Sequence, residues 1–411
     1  MLYRNACIEN AESLSDIRAK DGRFEAIGSH LDLLENEPEL DLGGKLVLPP
    51  FVEPHIHLDT TLTAGEPRWN RKGTLFEGIE IWSERKQSLN REDVVKRASR
   101  CIRSLASHGV QFVRTHVDCT DPHLTAMEAM IEVRETFRDK IEVQIVAFPQ
   151  EGILSFPKGA ELLEQSVRLG ADVLGAIPHY EFTREYAVES LNLMMRLAER
   201  YGTLVDVHCD EIDDEASRGL ETLACRALES GLKSRVTASH TTAMHSYNNA
   251  YCSKLMRLLC MSEINFIANP LVNTHLQGRV DTYPKRRGIT RVPELLEAGC
   301  NVAFGHDDVF DPWYPLGTGN PMDVIHMGLH VTQMMGYDAI ASSYQFCTHR
   351  AARCLSLGER YGILPGRPAH FIVLNAGNWY EALNRRAEVL MSVRGGEVIA
   401  KTQPRTSEVL F

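Results

Sequence analysis

Between Leu46 and Phe304, short apolar runs rich in β-branched residues recur roughly every 30 residues, the length of one strand plus its crossover helix. The runs are Leu46 to Phe51, Gln111 to Thr115, Glu142 to Phe148, Val173 to Ile177, Thr203 to Val207, Arg235 to Ala238, Ile264 to Ala268 and Asn301 to Phe304. Eight such units in series predict an α/β fold whose parallel strands close into a (β/α)8 TIM-like barrel. The intervening helices can be read from their spacing. Val94, Val95, Ala98, Cys101, Ile102 and Leu105 form one apolar stripe, with Asn90 placed to cap it. Leu191, Met194, Met195, Leu197 and Ala198 form another, and both stripes are core.

The two chain ends have a different texture. Leu2 to Ile8, Ile17 to Lys20 and Phe24 to Ile27 are strand-like, with Asp21-Gly22 as a hairpin turn. The same pattern returns at His370 to Leu374, Val389 to Val393 and Glu397 to Ala400, with Gly395-Gly396 as a turn. Residues 1–47 and 363–411 are therefore expected to pair into one small β-sandwich domain, leaving 48–362 as the barrel and Lys401 to Phe411 as a tail. Two barrel intervals are long, Thr60 to Asn90 with Trp69, Phe76 and Trp82, and Pro270 to Val292 with Asn273, His275, Gln277 and Arg279. Long loops after barrel strands are expected to wall or cover a site.

The residues just past the runs carry the chemistry. The first run leads to His55 and His57, the third to Gln150, the fifth to His208 and Glu211, the sixth to His240 and the eighth to Asp307 and Asp308. Strand side chains alternate faces, so His55 and His57 point the same way. In a barrel all these positions open on one mouth. His55, His57, His208 and Asp307 are read as metal ligands, a mixed N/O set that suits Zn²⁺ and Fe²⁺ alike. A second metal in such barrels commonly needs a carboxylated lysine on the fourth strand. Between Lys140 and Lys233 the only lysine is Lys158, ahead of the fourth run, so one divalent ion per subunit is expected.

Other features exclude function classes. The net charge of -11 argues against a nucleic-acid partner, no apolar segment is long enough to span a bilayer, and a cytoplasmic location is the expectation. The ten cysteines contain no Cys-x-x-Cys pair, which removes the zinc-knuckle, thioredoxin and Pro-Cys-x-x-Cys deaminase readings. His326 and His330 stand four apart, but Met327 occupies the place of a zinc-protease glutamate, so the pair is read as packing. Gly317-Thr318-Gly319 lacks the third glycine of a dinucleotide fingerprint, and Pro284-Lys285-Arg286-Arg287 is a solvated loop or subunit contact. Roles for His116, His245, His275 and His306 stay open between pocket lining and structure.

The segments Phe51 to Thr61, Ile145 to Gly152, Asp206 to Glu211, Ala238 to Thr242 and Phe304 to Trp313 resemble the bacterial cytosine deaminases of the amidohydrolase superfamily, in order and in spacing. Phe148-Pro149-Gln150-Glu151-Gly152 and Gly305-His306-Asp307-Asp308-Val309-Phe310-Asp311-Pro312-Trp313 are its most specific strings. The resemblance implies that Gln150 hydrogen-bonds the amide edge of a pyrimidine, that Trp313 is a pocket wall and that Asp308 lies near the C5 side of the ring. It implies metal-dependent conversion of cytosine to uracil and ammonia, a pyrimidine-salvage reaction, by a homo-oligomer for which a hexamer is one form. On this reading Asp307 takes a proton from the attacking water, His240 holds that water in line, and Glu211 protonates ring N3. His370 departs from the superfamily, which often carries Asp or Asn at that place. Alternatives are a sister amidohydrolase acting on isoguanine, creatinine, a triazine or another cyclic amidine, and a non-catalytic barrel used for assembly.

Overall fold

The computed structural model describes residues 1–411. Its centre is a sheet of eight parallel strands in strict sequence order: Phe51–Ile56, Val110–Asp118, Glu142–Phe148, Val173–Leu174, Leu204–Cys209, Val236–His240, Asn265–Ala268 and Asn301–Phe304. The first and last strands meet at a short parallel bridge between Ile56 and Asp307. There the Asp307 amide donates to the His55 carbonyl at 2.8 Å, and the His57 amide donates to the Asp307 carbonyl at 3.0 Å. The Glu53 carboxylate adds to this seam by accepting from the amides of His55 at 3.1 Å and His306 at 3.0 Å. Burial pushes the Glu53 carboxyl up to about 8 against those two amides. The closure that makes the sheet a barrel thus also brings His55, His57 and Asp307 together.

The first predicted run divides in two. Leu46–Leu48 belongs to the sheet built from the chain ends, pairing with Leu2–Ile8 and Phe371–Leu374, and the barrel begins only at Phe51. Pro49 and Pro50 lie between; neither has an N–H to continue a ladder, and apolar character alone did not reveal the break. The fourth strand is shorter than its apolar run, ending at Leu174 before a turn of 3-10 helix at Pro178–Tyr180. The helices follow the predicted stripes. Arg91–Ser107 is capped by the Asn90 side chain accepting from the Asp93 amide, and it buries Val94, Ala98, Cys101, Ile102 and Leu105. Arg184–Tyr201 buries Leu191, Met194, Met195, Leu197 and Ala198. No helix is long and apolar enough to cross a membrane.

Strands from both ends of the chain form the second, mixed sheet. The Phe24 amide donates to the Arg367 carbonyl and the Tyr3 hydroxyl to the Gly396 carbonyl, so the early strands fold back against the late ones. Tyr3, Ile17, Phe24, Val47, Phe371 and Val393 are buried in the core they share. Leu46, Leu48, Ile372 and Val389 instead belong to the main core of the barrel, so the small sheet is welded to it and not linked by a hinge.

His370 directly precedes the strand Phe371–Leu374 of this sheet, with its Nδ1 accepting from the Gly395 amide at 2.9 Å. Burial, reinforced by Arg394, lowers its pKa to about 4, whereas an unfolded histidine titrates near 6.5. A histidine depressed in this way stabilises the fold above about pH 6.5 and loses that contribution as the pH falls through 4. His370→Asn keeps an acceptor without the titration. Chemical denaturation at pH 7.5 and pH 5 should show the wild type losing about 1–2 kcal/mol more than the variant. Equal losses would contradict the assignment.

Candidate metal centre and active site

His55 and His57 come from the end of the first barrel strand, His208 from the fifth and Asp307 from just past the eighth. Their ligand-type atoms all lie within 4.8 Å of one another, and all four side chains are buried. Asp307 Oδ1 is 3.3 Å from His55 Nε2 and 3.4 Å from His57 Nε2, and His57 Nε2 is 3.1 Å from His208 Nε2. Asp307 reaches this position with φ of +69°, a left-handed backbone that costs on the order of 1 kcal/mol or more for a residue with a side chain. The rings are braced from behind: Phe148 stacks on His208 with centroids 3.9 Å apart, and His116 stacks on His55 at the same distance.

The donor set fits a divalent cation. His55 Nε2 is buried without a hydrogen-bond partner, yet it faces a carboxylate oxygen. Three imidazoles and one carboxylate converge on one point, and N/O ligands of this kind hold Zn²⁺ or Fe²⁺. Burial would raise the Asp307 carboxyl, but the surrounding imidazoles, His240 foremost, outweigh it and hold the group well below the usual range.

A second buried cluster joins Asp307 to His240 and Glu211. His240 Nδ1 is 3.2 Å from Glu211 Oε1 and 3.9 Å from Asp307 Oδ2. Asn273, on the helix Pro270–Leu276, places its Nδ2 2.9 Å from His240 Nδ1 and 3.4 Å from Glu211 Oε1. Burial pushes the Glu211 carboxyl up, against the opposing pull of His240. Burial would lower His240, but Glu211 and Asp307 outweigh it and raise it. The cluster therefore contains one carboxyl held ionised and one inclined to protonation, the pairing that acid–base chemistry uses.

His57, His208, Glu211, His240 and Asp307 face a cavity that is also lined by Gln150, Asp308 and Trp313. Its apolar walls are Leu75, Ile177 and Leu276. Trp313 is fixed by its indole N–H donating to the Leu75 carbonyl at 3.2 Å and its amide donating to Asp311 Oδ1 at 3.0 Å. Gly78, on the helix Leu75–Lys86, meets the indole face, where any side chain would overlap it. The same helix is tied to the barrel mouth by Trp82 Nε1 donating to Asp118 at 2.9 Å and by Lys86 bridging Asp118 at 2.8 Å and Glu151 at 2.6 Å. Burial, joined by the charges of Asp311 and Asp307, pushes the Asp308 carboxyl well up.

Every residue expected at the site lies either in the ligand cluster, in the acid–base cluster or on the cavity wall. Of the four open histidines, His116 stacks behind His55. His306 is structural: its Nε2 accepts from the amides of Thr318 and Gly319, leaving Nδ1–H for the Asp308 carbonyl. His245 is paired with Asp213 at 3.3 Å, and His275 accepts from Arg279 at 2.7 Å, both away from the cavity. Leu75, Ile177 and Leu276 were not foreseen as lining residues, nor Asn273 as a partner of His240. Leu75, Asn273 and Leu276 lie in the two long intervals, and that length was the available signal.

Comparison with known proteins agrees with this architecture. The sequence profile of the amidohydrolase family matches residues 39–400. The structure of 5-methylcytosine deaminase from Klebsiella pneumoniae, liganded with 5-fluorocytosine, superposes with a TM-score of 0.97 at 52% identity, covering 100% of this chain and 99% of that one. N-isopropylammelide isopropyl amidohydrolase of Pseudomonas sp. (strain ADP) is 29% identical over 98% of both chains. Pterin deaminase of Rhizobium rhizogenes is 28% identical over 90% of this chain and 84% of its own. With the profile spanning most of its length and a closed parallel barrel presenting three histidines and an aspartate at its mouth, the chain belongs to the amidohydrolase family.

Proposed function

We propose that this chain hydrolyses the exocyclic amino group of cytosine, giving uracil and ammonia, at a site holding one divalent cation on His55, His57, His208 and Asp307. The observation that carries the reading is the joining of that ligand set to Glu211 and His240 through a shared Asp307, in a cavity also lined by Gln150, Asp308 and Trp313. A cation bound there supplies hydroxide at neutral pH by lowering the pKa of water toward about 7. Asp307, held ionised, accepts the proton of the attacking water, and His240 orients that water by hydrogen bonding. Glu211, whose proton burial favours, delivers it to ring N3 and so makes C4 electrophilic. Oxygen bonds to C4, Asp307 passes the water's proton to the exocyclic nitrogen, the C4–N bond breaks to release ammonia, and the C4 hydroxyl returns its proton to Glu211 as the carbonyl of uracil forms. Gln150 reads the amide edge of the ring, Trp313 forms a wall and Asp308 faces the C5 side.

The Klebsiella deaminase, at 52% identity over the full chain, supports 5-methylcytosine as a second substrate of the same site. The cation is Zn²⁺ or Fe²⁺, whichever the cell supplies. We further propose a cytoplasmic homo-oligomer without nucleic-acid or membrane partners, and a division of the chain into a small domain of 1–47 with 363–411 and a barrel domain of 48–362. Ammonia release from a panel of cytosine, 5-methylcytosine, isoguanine, creatinine and a triazine tests the substrate. Cytosine and 5-methylcytosine should exceed the rest by about 100-fold or more, because a site that hydrogen-bonds its substrate rejects molecules that leave those groups unpaired. Turnover confined to isoguanine or creatinine would move the error to Gln150 and the walls; silence on all five would favour a barrel without catalysis.

A further inference from the structure

The interior of this barrel is not purely apolar beneath the ligand cluster. His55 Nδ1 lies 2.9 Å from Ser239 Oγ, Ser239 Oγ donates to Asp206 Oδ1 at 2.6 Å, and Asp206 Oδ2 accepts from Arg114 Nη1 at 2.9 Å. Arg114 is itself held by Gln144 Oε1 at 3.0 Å and the Cys354 carbonyl at 2.7 Å. His55, Ser239, Asp206 and Arg114 are all at 0% exposure, and they come from the first, sixth, fifth and second barrel strands. Branched apolar side chains ordinarily fill such layers, and a buried ion pair contributes little stability over an apolar replacement. The row therefore calls for an explanation beyond packing.

Its hydrogen bonds have only one consistent direction. Ionised Asp206, facing a guanidinium, can only accept, so the Ser239 hydroxyl hydrogen is committed to it. The Ser239 oxygen then accepts from His55, which places the single imidazole proton on Nδ1. Nε2, the atom without a hydrogen-bond partner, is left as a bare lone pair 3.3 Å from Asp307 Oδ1. His116 Nε2 stands 3.8 Å from Asp206 Oδ2, beyond hydrogen-bond distance, so it does not compete with Ser239 for that carboxylate.

We propose that Ser239 and Asp206 are positioning residues that lock His55 in the Nδ1–H tautomer and so prepare its Nε2 to bind the cation. The inference rests on the metal-centre reading above. It is tested by competing a chelator against the full-length protein for Zn²⁺ and comparing the wild type with Ser239→Ala, Ser239→Thr and Asp206→Asn. Ser239→Ala should weaken zinc binding by about 10–100-fold, the usual cost of losing the partner of a ligating histidine. Ser239→Thr restores the hydroxyl and should return affinity to within about threefold of the wild type. Asp206→Asn should weaken binding comparably, because its amide can donate to Ser239, free that hydroxyl to donate to Nδ1 and drive the proton to Nε2; a wrong tautomer of this kind disables catalytic triads.

Thermal melts of the metal-free proteins separate this effect from misfolding. If a variant does not fold, histidine ¹⁵N spectra of the metal-free wild type decide, with His55 expected as Nδ1–H. A Ser239→Ala protein that binds zinc as tightly as the wild type, or an Nε2–H tautomer at His55, would overturn the proposal. Failure of the wild type to bind zinc at all would overturn the metal-centre reading beneath it.

Discussion

Glu211→Gln should retain a full equivalent of bound metal and lower kcat on cytosine by about 10²–10⁴-fold, the usual contribution of a positioned general acid. Glu211 lies outside the ligand set of His55, His57, His208 and Asp307, so the cation keeps all its protein donors. What the substitution removes is a proton source 3.2 Å from His240 Nδ1, in a setting where burial favours the protonated carboxyl. Gln fills the same volume and can still meet Asn273 and His240, which isolates the chemistry from the packing. Metal content by elemental analysis and steady-state kinetics give the two readouts. Loss of metal together with activity would mean that Glu211 supports the ligands and does not serve the substrate.

Asp307→Asn should fail in both respects. The carboxylate stands in both clusters, within 3.4 Å of His55 and His57 on one side and 3.9 Å of His240 on the other. Its ionised state is what the surrounding imidazoles stabilise, and a neutral amide offers neither the charge that holds a divalent ion nor a site for the proton of the attacking water. Turnover should fall by at least about 10⁴-fold, combining the loss of a general base with weaker metal retention. Excess Zn²⁺ or Fe²⁺ should restore part of the metal content and little of the rate. Full rescue by added metal would show that Asp307 acts only as a ligand.

Most of this arrangement could be read from the residues, for a physical reason. A parallel barrel buries both faces of every strand, so its strands appear as bare apolar runs, and the polar residues that follow them must sit at the mouth. That logic located His55, His57, His208, His240 and Asp307 without any side-chain coordinates. It failed where apolar character crosses a boundary, as at Leu46–Leu48, which continues into Phe51 by hydrophobicity yet belongs to the other sheet once Pro49 and Pro50 interrupt the ladder. It also failed for residues that act across the barrel. Asp206 lies inside a predicted run and Ser239 directly after one, and only the pairing of the fifth and sixth strands brings them into line with His55. Leu75 and Leu276 wall the cavity from two helices, and the docking of Leu75's helix rests on Trp82 with Asp118 and Gly78 with Trp313, contacts that join elements far apart in the chain.

The central claim is that water adds to C4 of cytosine at this site and displaces the amino group. The most direct test is to run the reaction with metal-loaded protein in ¹⁸O-labelled water and to determine the mass of the pyrimidine product and the ammonia released. The account predicts uracil carrying one ¹⁸O, one ammonia for each uracil, and neither product after chelation. Uracil without label, or undiminished turnover from protein stripped of metal, would contradict it.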